Sequence, residues 1–173
     1  MVTYIGVRHQ TATTAANQHR QTVRSERVEV LSAFIDSVQS ADASLLDAQI
    51  DLDGLDEAED ETERLEDAES ALEHLMAAKE AVAVARKWYA KILILGPQGL
   101  VGSSYDVLQL THSRISSLSR AAPSMINGTG HPNEWLQQHD SNSQLWSERL
   151  GIFAARAAHA LEGRELPVRR ELS

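Results

Sequence analysis

A chain of 173 residues, 42% hydrophobic and without cysteine, is long enough for one continuous core, short for two, and incapable of disulfides or thiolate metal sites. Its formal net charge of -9 opposes the phosphate neutralisation that nucleic acids demand, so DNA and RNA are not expected partners. Aromatic residues make up only 5% while alanine and leucine recur, which favours closely packed helices over sheet and predicts an all-α fold.

The chain opens with the apolar run Met1-Val-Thr-Tyr-Ile-Gly-Val7, which passes abruptly into Arg8-His9-Gln10. Seven residues are too few for the apolar core of a signal peptide, and no run of about twenty apolar residues occurs anywhere to span a membrane. The run fits either an ordinary helix start or the last turns of a membrane helix lying upstream of Met1. Residues 1–20 are thus expected to form a juxtamembrane or protruding extension. From Thr11 to Arg27 no proline or glycine intervenes, but Ala12, Ala15, Ala16 and Val23 are the only apolar side chains, which predicts a helix with little burial.

Leu31, Phe34, Val38, Ala41, Leu45, Ala48 and Leu52 then alternate in threes and fours, placing all seven on one helical stripe suited to near-parallel packing against another helix. Gly54, within Asp51-Leu-Asp-Gly-Leu-Asp56, predicts a turn, and a second helix is expected from about Asp56 to Leu95. Its stripe is read as Leu65, Ala68, Leu72, Leu75, Val82 and Tyr89, with Lys79 and Arg86 snorkelling outward. Gly96-Pro97 ends it. Ser103 or Ser104 is expected to cap a third helix, with Asp106 at capping-box distance from Ser103 and with Tyr105, Leu108, His112, Ile115 and Leu118 on one face, stopping before Pro123. A fourth helix is expected from Asn133 to about Glu162, interrupted around Asp140-Ser-Asn-Ser143 and lined by Trp146, Leu150, Phe153, Ala157 and Ala160. Residues 163–173 are expected to form a loose tail. The sum is a single domain over residues 1–173: an elongated antiparallel four-helix bundle with a long first helical hairpin.

Motifs that carry chemistry are weak. Gln49, Asp51, Asp53 and Gly54 fall at positions one, three, five and six of a calcium loop, but position one is Gln and position twelve would be Asp60. No Glu-x-x-His pair exists for a di-metal site, which leaves His74 and His112 as lone candidate metal ligands. Residues 96–104 are glycine-rich and precede a helix, yet lack the lysine of a phosphate-binding loop. No strained nucleophile turn or oxyanion framework accompanies the serines and seven histidines. No cofactor is expected on this reading.

Charge is segregated. Between Asp51 and Glu69 eleven acidic residues face the single Arg64. In an up-down-up-down bundle the opposite pole gathers Arg8, Arg20, Arg24, Arg27, Arg86, Lys87, Lys91, Arg156 and Arg164, with Arg169 and Arg170 in the tail. Cations beside an apolar N-terminus are the pattern of a cytoplasmic domain next to a membrane, and equally the ordinary preference of helix C-termini for positive charge.

Thr3-Tyr-Ile-Gly-Val-Arg8, the polar stretch after it, and Arg24-Ser-Glu-Arg-Val-Glu-Val-Leu-Ser-Ala-Phe34 resemble small uncharacterised actinobacterial proteins in which a membrane helix runs directly into a cytoplasmic helical bundle. The resemblance covers about the first forty residues and implies location rather than activity. The leading expectation is a non-enzymatic helical interaction or scaffold module, cytoplasmic and membrane-associated through a segment upstream of Met1. Its partner would be a protein, a second copy of itself, or an anionic membrane surface. The alternative is a small-molecule- or metal-binding bundle, a sensor or an enzyme, in which His74, His112, Trp88 and Tyr105 surround a cavity.

Overall fold

The computed structural model describes residues 3–129 and 133–162, and for residues 3–13, 15, 16 and 133–136 it describes the backbone alone. Four helices follow one another: α1 (Thr3–Gly54), α2 (Glu61–Leu95), α3 (Gln98–Ile126) and α4 (Asn133–Leu161). α1 pairs with α2 and α3 with α4, and the two hairpins join because α3 packs on both α1 and α2. Among the described residues α2 and α4 are not neighbours, so α1 and α3 form the short diagonal of the bundle. This is the elongated all-α four-helix bundle expected from the periodicity.

The whole α1 stripe from Leu31 to Leu52 is buried, and Val30 and Leu55 extend it. Each turn of α1 offers its apolar face to α2 and α3 because the three-four spacing tracks the helix nearly without drift. At 52 residues α1 is far longer than its partners, about 78 Å at the usual rise. Arg27 lies level with Leu95, the last residue of α2, so most of the chain before it projects past the hairpin. Residues 17–22 are exposed, in keeping with their poverty in apolar side chains.

Four boundaries differ from the periodicity. α2 starts at Glu61 rather than Asp56, because Asp60 is the residue whose carboxylate accepts from the N–H groups of Thr62 (2.8 Å) and Glu63 (3.0 Å). Leu55, 2% exposed, is drawn into the core and holds the turn between. α3 begins directly after Pro97, with Leu100 N–H donating to the Pro97 carbonyl at 2.9 Å. Ser103 and Ser104 are therefore not caps. Both are buried and donate back to the Leu100 carbonyl, which satisfies their hydroxyls within α3 itself. α3 also runs through Pro123 to Ile126, since an exposed proline in a last turn sacrifices only one ladder bond. Gly128, at φ +61, then provides the left-handed residue that ends it. α4 is unbroken through residues 140–143: Ser143 donates to the His139 carbonyl and Asn142 to Ser113 of α3, so these side chains serve the helix instead of breaking it.

The α2 stripe is the largest correction. Leu65 and Leu72 are exposed, at 61% and 47%, while Ala68, Ala71, Leu75, Ala78, Val82, Ala85 and Ile92 are buried. Alanines at seven-residue intervals, Ala71, Ala78 and Ala85, are fully buried on α2, as are Ala41 and Ala48 on α1, the helix with which α2 packs most. Small side chains in successive layers let two long helices approach at the close end of the usual 8–10 Å separation. Trp146, Phe153 and Ala157 of α4 are buried as expected, with Leu150 and Ala160 packed at the edge. Phe153 meets Phe34 of α1 edge-on at 5.2 Å. No described helix is long and apolar enough to cross a membrane.

Candidate functional site

Arg20, Arg24 and Arg27 recur at four and three residues, which sets them on one face of α1. With His19 and Val23 they line a groove of about 380 Å³ whose far wall is Ala160, Leu161 and Glu162 at the end of α4. Arg27 donates from Nε to the Leu95 carbonyl at 2.9 Å, so one cation satisfies a terminal carbonyl that α2 cannot satisfy within itself. Nearby on α2, Lys87 is exposed and the Lys91 ammonium sits 4.0 Å above the Trp88 ring. Leu93 and Ile94, in the same last turns of α2, are 52% and 81% exposed. The side chain of Arg8 lies outside the described residues, as do Arg164, Arg169 and Arg170. Arg156 joins Arg149 in a separate cleft against Gln98, Gly102 and Asp106, and Arg86 faces α3 partway along α2.

The residues considered for metals are dispersed. Because α1 continues to Gly54, Asp51 and Asp53 lie on a helix, where two residues rotate a side chain by about 200° and prevent the convergence a calcium loop requires. Asp51 instead meets His74 Nδ1 at 3.0 Å, tying the end of α1 to α2. His112 belongs to α3 and meets α2, its Nδ1 3.3 Å from Arg86. His74 and His112 thus face different helices and do not share a cavity with Trp88 and Tyr105. Tyr105 leans on Tyr89 with ring centroids 6.1 Å apart. Among the described residues no group of three or more His, Asp or Glu is placed to hold a metal.

A buried polar cluster lies between α3 and α4. Arg114, 5% exposed, donates to Asp42 of α1 and stacks its guanidinium 5.1 Å from the Trp146 ring. Trp146 donates its indole N–H to Thr111 Oγ1 at 2.8 Å, and Thr111 donates onward to the Val107 carbonyl. His139, 2% exposed, approaches the Arg114 carbonyl through Nδ1 at 3.3 Å. Burial lowers the His139 pKa, and the Arg114 charge pushes the same way. The hydrogen bond to the Arg114 carbonyl and the charges of Asp140 and Asp42 oppose them. The imidazole is accordingly neutral near pH 7. Nothing in the periodicity singles out these residues, because their pairing joins positions 25 to 72 apart in the chain.

One further depression opens between α2 and α3, about 360 Å³ in volume. Val82, Ala83 and Ile115 form its floor, and Lys79, Arg86, His112 and Arg120 its rim, with no carboxylate among the lining residues. Comparison with protein-family models, with curated proteins and with solved structures returned no match for this chain.

Proposed function

We propose that this chain is a non-enzymatic helical interaction module whose basic pole seats against an anionic membrane surface. The observation that carries the reading is the row Arg20, Arg24 and Arg27 along one groove, with Arg27 bonded to the end of α2, which bears the exposed Leu93 and Ile94. Cations interleaved with exposed aliphatic side chains suit a lipid interface, where headgroup phosphates meet the former and the acyl boundary the latter. Each Arg or Lys near an acidic leaflet contributes about 1 kcal/mol, so three acting together give a salt-sensitive, reversible attachment. The acidic turn at the other end of the rod is repelled from the same surface and fixes polarity. A cytoplasmic, membrane-associated location follows from this reading, with the first hairpin standing away from the bilayer.

Co-sedimentation with vesicles containing acidic phospholipid, compared with purely zwitterionic vesicles, tests it. Binding is expected to the acidic vesicles alone, to weaken with salt, and to fall at least about tenfold when Arg20, Arg24 and Arg27 are all changed to Glu. Equal binding of the variant and the unaltered chain would remove the reading.

A further inference from the structure

α2 carries two apolar seams, and the bundle uses only one. The first, Ala71, Leu75, Ala78, Val82 and Ala85, is buried against the other helices. The second is exposed and also advances by fours and threes. One set of its positions is Leu65, Leu72, Lys79, Arg86 and Leu93, and the alternate set is Glu69, Met76, Ala83 and Ala90. Leu65, Leu72, Met76 and Leu93 are between 47% and 62% exposed. Such spacing keeps nine side chains on one line for about 42 Å, which is the pattern by which a helix meets a second helix.

The charges on this seam identify the partner. Read antiparallel against itself, the seam pairs residue n with residue 155 − n, and every position of one set except Leu93, which falls opposite Thr62, then meets a position of the other. Leu65 meets Ala90 and Leu72 meets Ala83, a large side chain opposite a small one in each case, and Met76 meets the aliphatic stem of Lys79. Glu69 meets Arg86, the seam's one acid opposite a base. Lys79, beside Met76 of the second copy, lies within reach of that copy's Glu73 and Glu80. A parallel pairing would instead set Lys79 on Lys79, Arg86 on Arg86 and Glu69 on Glu69, each a repulsion. In the single chain Arg86 has His112 beside it and no carboxylate lines the adjoining depression. We propose that α2 pairs antiparallel with α2 of a second copy across this seam, with Glu69 of each copy opposite Arg86 of the other. The contact is isologous, closes as a two-fold dimer, and is long enough to approach the ~1,000 Å² of a specific interface.

This pairing deepens the interaction-module reading by naming one partner, and the residues that test it, Glu69, Leu72, Met76, Ala83 and Arg86, are distinct from the Arg20, Arg24 and Arg27 that test the membrane reading. Sedimentation velocity of the full chain up to about 200 µM is expected to show a dimer. Leu72→Glu/Met76→Glu, both exposed changes that leave the circular dichroism spectrum intact, is expected to give a monomer. Glu69→Arg alone weakens the dimer at least about fivefold, and adding Arg86→Glu restores it. The chain has no cysteine, so orientation is read directly by oxidation: Leu72→Cys mixed with Ala83→Cys cross-links, and neither does so alone. A monomer at every concentration, a dimer indifferent to Leu72→Glu/Met76→Glu, or self-cross-linking of either single cysteine variant overturns the pairing. A monomer that still binds acidic vesicles overturns it while the basic-pole reading stands, and a dimer that ignores vesicles does the reverse.

Discussion

Arg114 on α3 donates to the carboxylate of Asp42 on α1, so a guanidinium only 5% exposed is held by a charge from the neighbouring hairpin. The Asp42 side chain is 36% exposed and remains hydrated, which moderates the cost of losing it. Asp42→Ala leaves Arg114 buried without its counter-ion and is expected to destabilise the fold by about 2 kcal/mol. Replacing both residues, Asp42→Ala with Arg114→Met, removes the stranded charge and recovers most of that loss. Urea midpoints of the two variants check this, and an additive double variant would contradict it.

His139 makes stability depend on pH in one direction. Its folded pKa lies below the 6.5 of a free imidazole, chiefly through burial. Between the two values the unfolded chain binds a proton that the folded chain refuses, so stability declines as pH falls from about 6.5 toward the folded pKa and is unaffected by this group above it. His139→Gln keeps a donor for the Arg114 carbonyl and is expected to flatten the decline. Denaturation midpoints at about pH 7.5 and pH 5.5 measure the difference, and an unchanged slope in the variant would refute it.

Thr111 is fully buried and is the acceptor for the Trp146 indole N–H. Thr111→Val preserves shape and strands that donor, at a cost of roughly 1–3 kcal/mol. Thr111→Ser keeps the acceptor and is expected to lose less. Thermal unfolding ranks the pair, and the opposite order would show that methyl packing, not the hydrogen bond, decides the site.

Two glycines inside helices have open space around the missing Cβ: Gly102 in α3 and Gly151 in α4. Alanine at either is expected to stabilise by about 0.5–1 kcal/mol through the unfolded chain's entropy. Gly96 behaves oppositely, because a Cβ there would lie 2.5 Å from the Ile92 carbonyl oxygen. Gly96→Ala is expected to destabilise, and a neutral result would mean that the end of α2 shifts freely.

Periodicity alone determined the helical class, the number of helices and the buried face of α1, because Leu31 to Leu52 offer a single apolar stripe and a helix with one such stripe has one way to bury it. It misassigned α2 for the complementary reason. Leu65 and Leu72 are more apolar than Ala71 and Ala78, yet the alanines are inside, since a seam between packed helices that is itself rich in alanine, as α1 is at Ala41 and Ala48, favours small side chains. The clustering of Arg20, Arg24 and Arg27 was legible from spacing, and their groove against Leu161 was not. The links from Arg114 to Asp42 and from His139 to the Arg114 carbonyl were beyond reach from sequence, because which polar residues meet depends on how two hairpins register. Helix identity is decided within a few turns of chain, whereas the choice between two seams on one helix is decided by what packs against it.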